Sequence, residues 1–155
     1  MTDTWKLHAT MFANRSSHAS VSMNGVVWIT GGYRSRNSTE FVYGNGSVIK
    51  GPDLPIDKWG HCMVDLEDGR AIILGGDQNE NDVLIYRSSD NSFESGPPLL
   101  FGRRFPACTL FRSPLHEGRQ VVLVVGGKSD GEVSAEVLDF TNTSSKWIQS
   151  KWLIY

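Results

Sequence analysis

The sequence predicts an all-β protein made of three successive copies of one four-stranded antiparallel unit. Apolar runs end in a glycine pair three times, at Gly31-Gly32, Gly75-Gly76 and Gly126-Gly127, with intervals of 44 and then 51 residues. A second apolar run stands upstream of each pair, joined to it by a turn. Sixteen glycines and six prolines, with many Ser, Asn and Asp, cut the 155-residue chain into pieces too short for sustained helical periodicity.

The runs before the glycines, Val26 to Thr30, Ala71 to Leu74 and Val121 to Val125, are rich in β-branched residues and read as strands. Each glycine pair marks a backbone position that needs φ > 0 or close approach. Ala19 to Met23 reaches the first run through Asn24-Gly25, a type I′ hairpin signal. Glu67-Asp68-Gly69 serves the second unit, and a longer turn from Arg112 to Arg119 the third. The first strands open alike, on Arg15-Ser-Ser-His-Ala19, Lys58-Trp-Gly-His-Cys62 and Arg104-Phe-Pro-Ala-Cys108. Third strands follow the glycines at Ser38 to Tyr43, Asn81 to Tyr86 and Ser134 to Asp139, and a large apolar residue comes next, Val48, Phe93 or Trp147. Prolines in the exits Gly51 to Pro55 and Gly96 to Leu100 predict short fourth strands at an edge. Four antiparallel strands per unit of this length make the blade of a propeller.

Hairpin, glycine pair, a strand carrying Glu and an aromatic, and a late Trp together resemble the kelch repeat. The resemblance covers nearly the whole chain. It implies an incomplete kelch-type β-propeller, with residues 1–13 as the last strand of a preceding blade, 14–57, 58–102 and 103–149 as three blades, and 150–155 as a tail. Trp5 precedes Val48 by one repeat, 43 residues, and Leu7 and Met11 match the apolar follow-on. The pattern departs from the family where Val48 and Phe93 replace the late Trp, which predicts less regular outer edges there. Three blades do not close a ring, so open faces and edges are expected. Either the chain is a piece of a larger propeller or copies of it associate, as in a pair of chains completing one ring.

No catalytic, cofactor or metal signature stands out. His18 and His61 share a slot in adjacent repeats, but the third repeat has Ala107 there, so buried polar residues are expected and not a metal site. Cys62 and Cys108 also share a slot, and free, buried thiols are the expectation. There is no CxxC, GxSxG, phosphate loop or HExxH. Some kelch propellers are enzymes, but the Tyr, Cys and His set of a copper oxidase cannot be placed here. The expectation is a non-catalytic interaction scaffold; part of a kelch-fold enzyme is the least favoured alternative.

In the family, loops at one end of the propeller meet the partner. Carried over, these are the opening residues Arg15, Ser16, Lys58, Trp59, Arg104 and Phe105, with Arg103 alongside. The post-glycine loops add Tyr33, Arg34, Arg36, Asp77, Gln78, Asn79, Lys128, Ser129 and Asp130. Together they predict a basic, aromatic face suited to an acidic protein or peptide. A net charge of −2 gives no general preference for nucleic acid, and no apolar stretch is long enough for a membrane helix. The first ten residues lack a signal-peptide plan, so the chain as written is expected in the cytoplasm. Four glycosylation sequons, at Asn14, Asn37, Asn45 and Asn142, support the alternative of an extracellular, glycosylated recognition or adhesion module with its signal peptide missing from this sequence.

Overall fold

The computed structural model describes residues 4–128, 134–141 and 145–150. Among the described residues, twelve strands form three four-stranded antiparallel sheets, each wound in chain order. The first holds β1 (Ala19–Met23), β2 (Val26–Thr30), β3 (Thr39–Val42) and β4 (Val48–Lys50). The second holds β5 (Cys62–Asp65), β6 (Arg70–Leu74), β7 (Val83–Arg87) and β8 (Ser92–Ser95). The third holds β9 (Ala107–Arg112), β10 (Gln120–Val125), β11 (Ala135–Leu138) and β12 (Ile148–Gln149), with one 3₁₀ turn at Pro114–His116. The first hairpin turn has Asn24 and Gly25 both at positive φ, as a type I′ turn requires. The fourth strands are short, as the prolines require.

The sheets stack face to face, with β1, β5 and β9 side by side. One core lies between the first two sheets, built on Met23, Trp28, Met63, Ile73, Leu84 and Tyr86. The other, between the second and third, holds Val64, Ile72, Leu74, Val122, Val124 and Trp147. Strand β6 feeds both, Ala71 and Ile73 one way and Ile72 and Leu74 the other, which is why it reads as an unbroken apolar run. Val48, Phe93 and Trp147 occupy one equivalent position, each three residues before a backbone bond (Gly51, Gly96 or Ser150) to the start of the third strand. Trp147 is buried, and its Nε1 donates to the Pro97 carbonyl at 2.8 Å.

Several expectations are corrected. Residues 4–13 form no strand, and Trp5 is fully exposed. The third unit is offset by one position from the sequence alignment. Ala19, Cys62 and Ala107 face the last residues before the glycines, Thr30, Leu74 and Val125. Arg103, not Arg104, is therefore the equivalent of Arg15 and Lys58, and Pro106 falls in the slot of His18 and His61. The third strand of the second unit slips likewise, so that Val83 matches Thr39 and Ala135. Finally, Cys62 and Cys108 are not free thiols: they form a disulfide with Cα atoms 6.1 Å apart.

Candidate partner-binding rim at the glycine end

Each unit opens on a buried cation. Arg15 Nη1 donates to the carbonyls of Gly31 and Ser38, both at 2.8 Å, while Nη2 meets Glu40 at 2.6 Å. Arg103 repeats the arrangement, with Nη1 on the carbonyls of Gly126 (2.7 Å) and Ser134 (2.9 Å) and Nε on Glu136 at 3.0 Å. Lys58 Nζ donates to the Gly75 carbonyl at 2.9 Å and lies 3.4 Å from Asp82. All three cationic side chains are wholly buried. They clamp the glycine turn to the third strand, and in the first and third units the carboxylate also accepts from the preceding segment: Phe12 and Ala13 N–H on Glu40, Leu100 and Phe101 N–H on Glu136. Burial pulls the Lys58 ammonium below its ordinary pKa, against the opposing pull of Asp82.

The glycines stitch one unit to the next. Gly32 N–H donates to the Lys58 carbonyl and Gly76 N–H to that of Arg103, at 2.9 and 2.8 Å. A Cβ at Gly31 or Gly75, both at positive φ, would overlap those same carbonyl oxygens. The glycines therefore serve close backbone approach. His61, 5% exposed, sits beside them with Nε2 2.8 Å from Thr30 Oγ1. Burial first, then Lys58 and His18, hold its pKa down at about 3. His18 is exposed, and among the described residues no cluster of His, Cys, Asp and Glu could hold a metal.

Opening segments and post-glycine loops meet at this one end. Tyr33 N–H bonds the Ser16 carbonyl, Asp77 N–H that of Trp59, and Lys128 N–H that of Arg104. On that rim Tyr33, Trp59 and Phe105 form a ladder, edge to face, with ring centroids 5.6 and 5.7 Å apart. Tyr33 and Phe105 remain 56% and 53% exposed. Phe105 holds φ = +56°, a left-handed conformation costly for an aromatic residue. Gly60 lies directly beneath its ring, where a Cβ would crowd it.

The rim is less basic than the sequence suggests. Arg15, Lys58 and Arg103 are consumed internally and present no charge to a partner. Arg104 is paired, its Nη1 3.0 Å from Asp77 and its Nε 2.9 Å from Glu80, and Arg36 is 3.3 Å from Asp57. Arg34 and Lys128 are exposed and have no ion pair among the described residues. Ser16, Gln78 and Asn79 are exposed polar residues, while Ser129 and Asp130 lie outside the described residues. The carboxylates Glu40, Asp82 and Glu136 are the functional partners that sequence reasoning missed. Their signal was an acidic residue recurring near the start of each third strand.

Among solved structures the chain is similar to that described as "Structure of YjhT", a β-propeller-like protein, with a TM-score of 0.70 at 15% identity. The fold is β-propeller-like. The match covers 91% of this chain and 53% of the other, so the chain spans about half the length of that neighbour. No family model and no curated protein matches the chain. At this identity the likeness speaks for the fold alone.

Proposed function

We propose that the chain is a kelch-type propeller segment that works as a non-catalytic scaffold, holding a protein or peptide partner on the rim at its glycine end. The observation that carries this reading is the exposed ladder Tyr33–Trp59–Phe105. Tyr and Trp anchors dominate binding energy at protein interfaces, and the rings of Tyr33 and Phe105 remain more than half exposed at the two ends of the ladder. Arg34 and Lys128, flanking it, favour acidic side chains in the partner. The reading assigns the chain no chemical step and no cofactor.

Selection of a random peptide library on the immobilised chain tests it. Enriched peptides should combine Asp or Glu with large apolar residues, and should lose binding to Trp59→Ala while keeping it with Phe111→Ala on the far sheet. Enrichment indifferent to Trp59 would remove the rim from the account.

A second reading, an extracellular glycosylated recognition module, is favoured by the Cys62–Cys108 disulfide, because such bonds persist in oxidising compartments. The side chains of Asn14, Asn37 and Asn45 are on exposed residues, and Asn45 Oδ1 accepts from both the N–H and the hydroxyl of Ser47 within its sequon. Asn142 lies outside the described residues. A glycosidase-sensitive gel shift of the native protein supports this reading; a shift-free band that also runs as free thiols contradicts it.

A further inference from the structure

We propose that the outer face of the third sheet docks on the outer face of the first sheet of a second copy, so that two chains close one ring. This inference goes beyond the partner-binding reading and does not depend on it. The third sheet's outer face carries a groove of about 570 Å³ lined by Thr109, Phe111, Leu115, Leu123, Val137 and Ile148. Leu115 and Ile148 are 75% and 61% exposed. At the register positions of Leu123 and Val125, the second sheet has Ile72 and Leu74, both wholly buried by the third sheet. Among the described residues, the surface that is covered at one boundary of the stack has no counterpart over it at the end of the stack.

The matching surface lies on the same chain. Val122 and Val124 cover Ile72 and Leu74, and Ala71 and Ile73 play that part against the first sheet. Their equivalents on β2 are Val27 and Ile29, of which Val27 is 40% exposed and Ile29 9%. The backbone repeats this complementarity. Two glycine N–H groups cross the boundaries between units, Gly32 to Lys58 and Gly76 to Arg103. The next donor in the series is Gly127 N–H and the matching acceptor is the Arg15 carbonyl; among the described residues neither has a backbone partner. Where the carbonyls of Lys58 and Arg103 close over Gly31 and Gly75, a Cβ at Gly126 would meet nothing. A second copy supplies the missing carbonyl from Arg15 and an apolar contact from Val27. Two copies also match the length of the propeller-like neighbour, of which one chain spans 53%.

Light scattering on the eluting full chain at tens of micromolar should give about twice the 17.2 kDa chain mass. Leu123→Glu and Val27→Glu, each on one face, should each elute as monomer. An equimolar mixture of the two should recover the dimer mass, because one keeps the first-sheet face and the other the third-sheet face; that recovery also shows both variants fold. A wild-type monomer overturns the proposal and leaves the faces to sheets from a longer or different chain. Mass that climbs without limit with concentration, or a dimer surviving in both variants, overturns it equally.

Discussion

Cys62 and Cys108 face each other across the boundary between the second and third sheets because they sit one register position apart in equivalent strands. Cys62 pairs with Leu74 and points with it toward the third sheet; Cys108 pairs with Val124 and points back. In the same slot both would point the same way, since a one-residue slip exchanges faces. The bridge adds a covalent tie to the apolar core between these two units.

That bridge closes a loop of 46 residues, for which chain entropy alone gives a stabilisation of about 4 kcal/mol. The double variant Cys62→Ser, Cys108→Ser should lower stability by roughly 2–4 kcal/mol in urea denaturation. Reduction of the wild-type chain should reproduce the loss, and an unchanged midpoint under reduction would show that the bond contributes nothing.

Arg103 and Glu136 form the most enclosed ion pair of the fold among the described residues, with both side chains at 0% exposure. Arg103→Met leaves Glu136 buried with only two backbone donors and should cost about 3–5 kcal/mol. Adding Glu136→Leu removes the stranded charge and should recover part of that loss. Denaturation of the two variants side by side measures the difference.

Acid should weaken the fold through His61. In the folded chain this imidazole takes up its proton only near pH 3, against 6.5 for the ordinary side chain. Between those values the unfolded state binds more protons, so stability falls as the pH drops from about 6.5 toward 3. The slope is about 1.4 kcal/mol per pH unit, or roughly 2 kcal/mol lost by pH 5. His61→Gln, which keeps a polar contact for Thr30, should flatten this part of the profile. An equally steep profile in the variant would assign the loss to the carboxylates.

The stacking of units was legible because a glycine pair has few alternatives where backbones touch, and three pairs set the phase. Strand positions followed from β-branched runs, and Val48, Phe93 and Trp147 proved equivalent. Single-residue register was not legible, since Arg103-Arg104 offers two cations and only the three-dimensional position of Glu136 selects between them. That one slip hid the disulfide. It also reversed the role of the opening cations, which looked like a basic face and are internal clamps, because long charged side chains are exposed unless paired and their partners lie 24 to 33 residues away. The aromatic part of the rim was present in the sequence at Tyr33, Trp59 and Phe105; their mutual contact was not.

Phe105 offers the most direct test of the partner-binding rim, through the variant Phe105→Gly. Glycine removes a left-handed strain of roughly 1–2 kcal/mol and loses an aromatic contact of about 0.5–1.5 kcal/mol, so stability should stay within about 1 kcal/mol of the parent. Affinity for acidic peptides selected on the wild-type chain, measured by calorimetry beside the melting curve, should fall at least tenfold, equivalent to about 1.4 kcal/mol. Unchanged peptide affinity in a variant of unchanged stability would contradict the rim as the binding site.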